Sequence, residues 1–195
     1  MAIWAATALL LCLNLTCGRI LQAEITDKVY LDVSIDEEPV GRIVIGLFGH
    51  LLPRAALNFK TLCKGDSGRK TVEGLPLHYK GTTFTKVVED YMIQGGDVSR
   101  GGKSGGESAF GLYVPDEDFR LRHVAQGLVS MVNKGPHTNA SQFMITLGAA
   151  SWLDEKQIVI GEVVEGMEVL ARIEAEATPT GIPVHRIEII DSGLA

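Results

Sequence analysis

The sequence is poor in cysteine and has no excess of positive charge. Its 195 residues include three cysteines, of which Cys12 and Cys17 lie near the N-terminus. Cys63 is the only cysteine in the rest of the chain and has no partner there for a disulfide, which excludes a fold built on disulfides. Because 24 acidic side chains outnumber 18 basic ones, the chain has no long-range attraction to nucleic acid or anionic lipid. We expect a domain with a hydrophobic core and no nucleic-acid partner.

Acidic residues are absent from positions 1–23, where Arg19 is the only basic side chain. Residues 2–18 carry no charged side chain and have an apolar centre at Leu9–Leu11, which predicts a secretory signal peptide cleaved after Gly18 or Ala23. These 17 residues are at the short limit for a membrane span, and an uncleaved anchor or another targeting peptide is the alternative. We expect residues 24–195 to form the functional domain, in the endoplasmic reticulum lumen or secreted, with no other membrane contact.

The sequence shows no pattern typical of a metal site. The five histidines, at positions 50, 78, 123, 137 and 185, include no pair at the spacing of metal ligands. Asn139-Ala140-Ser141 is an N-glycosylation sequon, which matters only if its loop is accessible.

The period of the apolar residues changes along the chain and distinguishes strands from helices. Alternation over Val29–Ile35 predicts a strand, and Gly41–Phe48 is its expected partner across a turn. Helical spacing over Ala55–Cys63 predicts an amphipathic helix that ends at Gly65, and a second helix is expected over Val169–Ala177. Further short apolar runs lie at Thr83–Val88, Tyr91–Gln94, Gly127–Val132, Phe143–Leu147, Ile158–Val164 and Arg186–Ile190.

These runs predict about eight short strands and two helices. Most connections are too short for repeated crossover helices, so the sheet should be mainly antiparallel. Eight strands with one buried face each predict a mainly β fold, a closed antiparallel barrel with a filled interior and two α-helices as caps.

Three motifs between residues 84 and 161 indicate a function. The first is FTKVVEDYMIQGGD at 84–97, the second is SMVNKGPHTNASQFMI at 130–145, and the third is WLD at 152–154, followed by IVIG at 158–161. Together they resemble the cyclophilin family of peptidyl-prolyl cis-trans isomerases, and the resemblance extends in order over residues 28–193. It implies an eight-stranded barrel with two helices and an enzyme that assists protein folding by accelerating rotation about X–Pro bonds. The expected partners are proline-containing segments of client proteins and cyclosporin, and we expect a monomer without a cofactor.

The resemblance also assigns roles to individual residues. Lys86 stands at the position of the family's catalytic arginine, and Gln94 at that of the glutamine that orients it. The implied proline pocket comprises Tyr91, Met92, Met144 and Leu153. The family binds the peptide main chain at the positions of Gln142 and of the backbone of Asn133, and Val132 lies beside them. Trp152 stands where the family contacts cyclosporin. Gln157 stands where a histidine is common.

Several of these positions depart from the family pattern. Lys86 replaces arginine, Thr85 replaces a histidine, and Tyr91 and Met144 stand where phenylalanine is usual. An ammonium keeps the charge of a guanidinium but lacks its planar fork of donors. We therefore carry two hypotheses: an active prolyl isomerase of the secretory pathway, and a binding module or chaperone that holds proline-containing segments with little turnover.

The same side chains also have ordinary structural interpretations. Lys86 would then be a solvated surface charge, the four pocket residues would be core residues, and Trp152 would serve packing alone.

Overall fold

The computed structural model describes residues 23–100 and 105–195. The predicted signal peptide therefore lies, except for Ala23, outside the described residues. The strands are β1 Asp27–Ile35, β2 Glu38–Leu47, β3 Thr83–Val88, β4 Met92–Gly95, β5 Leu128–Met131, β6 Phe143–Thr146, β7 Val159–Glu165 and β8 Ile187–Leu194, and the α-helices are α1 Pro53–Lys64 and α2 Met167–Glu174.

The eight strands close into one barrel in the order β1-β2-β7-β5-β6-β4-β3-β8, with every neighbouring pair antiparallel. This confirms the predicted mainly β fold. The barrel is filled because alternate residues of each strand point inward, as Val29, Leu31 and Val33 do on β1. Phe59 of α1 packs against Tyr79 and Phe143, with ring centroids 5.0 and 5.1 Å away, so this helix closes over the aromatic part of the core.

Helix α1 forms where the sequence predicts it. Pro53 occupies the first turn, where its missing N–H costs nothing, and Gly65 ends the helix with a φ of 69°, a left-handed conformation that glycine adopts without strain. Cys63 is fully buried, as expected for a small core residue, and burial raises the pKa of its thiol well above the ordinary value.

The segment after β6 contains a feature that the apolar pattern did not predict. Residues Ser151–Leu153 form a short 3-10 turn that lies outside the barrel wall. Three residues are too few to show a helical period, which explains why the sequence pattern gives no signal for them.

The sequon asparagine is buried in the fold. Asn139 is fully buried, and its amide nitrogen donates to Val114 O at 3.1 Å and to Asp116 Oδ1 at 2.7 Å. The folded barrel therefore does not offer this nitrogen for glycosylation.

Among the described residues, none of the helices is long and apolar enough to cross a membrane. Over the same residues, no group of three or more histidine, cysteine, aspartate or glutamate side chains is placed to hold a metal ion.

Candidate active site

The candidate site lies on the outer face of strands β4, β6 and β5. Strand alternation assigns the neighbours of one strand to opposite faces. Ile93 and Ile145 point into the barrel core, whereas Met92 and Met144 belong to a separate apolar cluster.

This outer cluster contains all four residues of the implied proline pocket. Its buried members are Met92, Met144, Ala150 and Leu153, and Val88, Tyr91 and Val132 pack against them. The 3-10 turn supplies Leu153, while β4 and β6 supply the two methionines. These residues are therefore not part of the barrel core; they form a second apolar surface outside it.

An aromatic pair lies at the edge of the outer cluster. The rings of Tyr91 and Trp152 have centroids 5.2 Å apart, and Trp152 is 55% exposed. A tryptophan so exposed beside an apolar cluster is available to a ligand, although its contact with Tyr91 also serves packing.

Two glutamines form a hydrogen-bonded relay next to the cluster. Gln142 Nε2 donates to Gly105 O at 2.9 Å, and Gln94 Nε2 donates to Gln142 Oε1 at 2.9 Å. A carbonyl oxygen can only accept, so Gly105 requires the amino group of Gln142, and Gln142 in turn requires the amino group of Gln94. The relay thus leaves Gln94 Oε1 as an acceptor.

Lys86 is the cross-strand partner of Gln94 in the β3–β4 ladder. Its side chain is exposed, and within the described ranges its ammonium has no hydrogen bond or ion pair. The stem lies over Gly181, where an added Cβ would sit 3.4 Å from both Cγ and Cε of Lys86. The structure therefore brings the predicted donor and its predicted orienting amide onto adjacent strands.

The remaining predicted residues surround the relay and the cluster. Asn133 Nδ2 donates to Lys156 O at 2.7 Å, so the side chain is bound within the protein. Val132, Asn133 and Gln142 line a cleft of about 110 Å³ beside the cluster. Gln157 donates its backbone N–H to Leu153 O at 3.1 Å, and its side-chain oxygen is buried without a partner among the described residues.

Comparison with known proteins agrees with this arrangement. Residues 30–194 match the family described as cyclophilin type peptidyl-prolyl cis-trans isomerase/CLD. The chain belongs to the cyclophilin family. The peptidyl-prolyl cis-trans isomerase CYP21-1 of Arabidopsis thaliana is 46% identical over 171 residues, which are 87% of this chain and 76% of that protein. A peptidyl-prolyl cis-trans isomerase of Encephalitozoon cuniculi is 46% identical over 173 residues, or 88% of this chain and 96% of that protein.

Membership confirms the family and the enzyme class that the motifs predicted. This cyclophilin is a peptidyl-prolyl cis-trans isomerase by class, and the family binds proline-containing peptides. The roles of Lys86, Gln94 and the pocket residues stay predictions, for which the geometry above supplies the physical basis.

One buried polar residue of this cyclophilin site was not found from the sequence. His123 is fully buried and bonds to Asp154 and Ser130. Burial lowers the pKa of His123, and the hydrogen bond and charge of Asp154 offset part of that shift. Partial burial acts to raise the pKa of Asp154. The pKa nevertheless lies below its usual value, because the carboxylate accepts hydrogen bonds from the backbone and ring of His123 and is close to the charges of His123 and Arg122. His123 and Asp154 are 31 positions apart in the sequence, which gives no local motif.

Proposed function

We propose that this cyclophilin isomerises X–Pro bonds with Lys86 as the donor to the reacting amide and Gln94 as the residue that orients it. The observation that carries the proposal is the relay from Gly105 through Gln142 to Gln94. It presents an acceptor oxygen on the strand next to Lys86, beside the outer apolar cluster.

The reaction needs an oriented donor rather than an acid, base or nucleophile. Rotation about an X–Pro bond must break amide resonance, which raises a barrier of about 18–20 kcal/mol. As the amide twists, the lone pair of the prolyl nitrogen becomes available to accept a hydrogen bond. A donor held beside that nitrogen interacts more strongly with the twisted state than with the planar one, and this difference lowers the barrier.

The apolar cluster supplies the second requirement, a fixed position for the proline ring. Met92, Met144 and Leu153 form its surface and Tyr91 its edge. If the ring is held there, rotation moves the residues on the other side of the bond. Thioether side chains adapt to a ring of this size, so methionine at position 144 is compatible with proline binding.

The peptide main chain is expected to cross Gln142 and Asn133. The side chain of Asn133 is committed to Lys156 O and to Gly135 N, at 2.7 and 3.3 Å. This arrangement fixes the local backbone, which then serves as the peptide's partner. Trp152, beside the same surface, is our proposed contact for a cyclic peptide such as cyclosporin.

A binding module with little turnover is the second candidate function. It is favoured by Lys86 itself, because one ammonium cannot bond Gln94, a substrate carbonyl and the prolyl nitrogen in the fixed plane that a guanidinium offers. If Lys86 makes one directed hydrogen bond fewer than an arginine would, the isomerisation rate falls by about ten- to a hundred-fold, equivalent to roughly 1.5–3 kcal/mol.

A chymotrypsin-coupled assay on a short X–Pro peptide tests the two candidates. We expect measurable catalysis by the wild type, a rise of about ten-fold or more in kcat/KM for Lys86→Arg, and a fall of at least about ten-fold for Lys86→Met, which keeps the stem but removes the charge. Lys28→Met, at an exposed position at the start of β1, is the matched control and should leave kcat/KM unchanged.

The outcomes separate the hypotheses. If the wild type does not accelerate exchange even at high enzyme concentration, but NMR shifts show that it binds the peptide, the binding module is correct. Equal catalysis by the wild type and Lys86→Met would remove Lys86 from the mechanism.

We further propose that the chain works in the secretory pathway as a folding enzyme. The support is the uncharged stretch at residues 2–18. N-terminal sequencing of the protein recovered from the lumen or the medium of a eukaryotic host is expected to begin at Arg19 or Glu24. Recovery of the uncleaved chain from membranes would favour the anchor, and its recovery from the cytosol would reject both.

A further inference from the structure

A buried histidine connects two walls of the candidate pocket. Both ring nitrogens of His123 have partners: Nδ1 lies 3.0 Å from Asp154 Oδ1 and Nε2 lies 2.8 Å from Ser130 Oγ. The Asp154 carboxylate can only accept, so Nδ1 carries a proton and donates it to that oxygen. The mechanism proposed above does not use this residue.

On one side, His123 holds both ends of the segment Ala150–Asp154. Its backbone oxygen accepts from Ala150 N at 2.8 Å, and its backbone N–H and ring donate to Asp154 Oδ1 at 2.9 and 3.0 Å. Between these two points the segment carries Trp152 and Leu153, which contribute to the aromatic edge and the apolar surface of the pocket.

On the other side, the ring reaches the outer face of β5. Ser130 Oγ lies 2.8 Å from Ile158 O as well as from the ring, so the hydroxyl is fixed between two elements. Ser130 is the direct cross-strand neighbour of Met144, and Val132, just beyond the end of β5, packs against the outer cluster that contains Met144. The ring therefore links the strand pair that carries Met144 to the segment that carries Leu153.

These three residue types also occur in hydrolase triads, but the geometry here excludes that role. His123 and Ser130 are fully buried, and the serine hydroxyl faces a backbone carbonyl at 2.8 Å. A nucleophile must reach a substrate, and this one has no exposed surface.

We propose that His123 is a positioning residue, which sets the distance between Leu153 and Met144 and thereby the fit of the pocket to a proline ring. This inference rests on the proposed site, since it concerns the shape of the same pocket. A side chain bonded at two opposite ring atoms and closed off from water has one allowed orientation, and it transmits that orientation to both walls.

Three substitutions distinguish the bond between the His123 ring and Asp154 from the bond between the ring and Ser130. His123→Asn places an amide near the position of Nδ1 and keeps the bond to Asp154, His123→Gln reaches toward Ser130 instead, and His123→Phe keeps the shape and loses both. We expect peptide affinity and KM to worsen by at least about ten-fold in His123→Phe, and by about three-fold or more in His123→Asn and His123→Gln, each of which keeps one of the two bonds that link the walls. Because Lys86 and Gln94 are untouched, kcat should change less than KM.

A spectroscopic readout follows the pocket wall directly. The chain has two tryptophans, Trp4 and Trp152. In a full-length Trp4→Phe background the emission therefore reports on Trp152, and we expect it to shift in His123→Phe but not in His123→Asn. The matched control is His78→Phe, since His78 Nε2 also bonds to a buried backbone oxygen, Cys63 O at 3.0 Å, away from the pocket. It should cost stability without changing emission or affinity.

All variants are compared at a temperature where circular dichroism shows them folded. A folded His123→Phe with wild-type affinity and emission, or the same losses in His78→Phe, would overturn the inference. If His123→Phe does not fold, the other pair decides: affinity weaker than wild type in both His123→Asn and His123→Gln supports the inference, and wild-type affinity in either variant contradicts it. If the wild type binds no proline peptide, the proposed function fails, while the emission of Trp152 still tests the positioning by His123.

Discussion

A single glycine supports the side chain on which the proposed mechanism depends. Gly181 has a φ of 79°, its N–H donates to Thr178 O and its oxygen accepts from Val87 N, next to Lys86. The absence of a side chain at Gly181 leaves room for the stem of Lys86, with Cγ and Cε 3.4 Å from the position a Cβ would take. The loop thus limits where the ammonium can lie.

We predict that Gly181→Ala lowers kcat severalfold and changes peptide affinity less, because the added methyl packs against the stem of Lys86 and restricts it, while it touches the apolar cluster only at its margin, at Val88 Cγ2 3.4 Å away. The left-handed backbone should also cost about 1 kcal/mol of stability. Gly74→Ala is the matched control: Gly74 has a φ of 82° and nothing within 4 Å of its Cβ position, so it shares the strain without the contact. The prediction is wrong if coupled-assay kinetics show the same kcat for the two variants.

At this scale the sequence indicated candidate residues that lie within motifs and gave no signal for a residue whose contacts are distant in the sequence. Gln94 and Gln142 were recognised from their motifs, and they prove to be bonded to each other. His123 was not recognised, because its partners Asp154 and Ser130 become neighbours only when the barrel closes.

Among the elements, helix α1 shows how a distant loop completes a local structure. Leu52 precedes the helix and provides no side-chain cap, and the first turn has no acidic residue. Glu117 supplies the missing cap and the missing negative charge. Its two carboxylate oxygens accept hydrogen bonds from Arg54 N at 3.0 Å and from Ala55 N at 2.8 Å. The carboxylate satisfies two free N–H groups and its charge matches the positive end of the helix.

Removing this carboxylate should destabilise the protein. Glu117→Ala is expected to lower the free energy of unfolding by about 1–2 kcal/mol, and Glu117→Gln by less, because the amide keeps one acceptor oxygen. Chemical denaturation measures both values. Glu73→Ala, in an exposed turn, is the control and should stay within about 0.5 kcal/mol of wild type. An equal, small effect of Glu117→Ala and Glu73→Ala would show that the cap does not stabilise α1.

Element types were predicted better than element ends. The run Tyr91–Gln94 was expected as a strand, but β4 begins at Met92 because Asp90, with a φ of 56°, and Tyr91 complete the turn from β3. The second helix was expected to extend to Ala177, yet α2 ends at Glu174 and Ala177 packs on the core from beyond it. Apolar periodicity reports burial, which continues past the point where the backbone geometry changes.

For the whole molecule, the number of predicted strands was enough to predict a closed barrel. The pKa shifts of the histidines could not be predicted in the same way, because they depend on contacts formed in the folded protein. His185 Nδ1 lies 2.6 Å from Glu176 Oε2, and Asp36 Oδ2 lies 3.9 Å from Nε2. The hydrogen bond to Glu176, and then its charge, raise the pKa of His185 above the ordinary value. His123 has the opposite shift because burial lowers its pKa. The two histidines therefore give the fold opposite responses to pH.

The signs follow from linkage between protonation and folding. His185 binds protons more tightly in the folded state, so its stabilising contribution is complete below an unfolded pKa of about 6.5 and disappears as the pH rises through the folded value. His123 binds them less tightly when folded. Its contribution is present above about 6.5 and is lost as the pH falls through the lowered folded value.

We predict opposite pH dependences for the two matched variants His185→Gln and His123→Gln. The difference in Tm between wild type and His185→Gln should be larger near pH 5.5 than near pH 8.5, and the difference for His123→Gln should be larger near pH 8.5. Thermal denaturation across this range measures both in one buffer series. Raising the salt concentration should shrink the His185 effect, because that pair is half-exposed, but leave the His123 effect unchanged, since its ring is closed off from solvent. Parallel pH profiles for the two variants would contradict the assignment of opposite shifts.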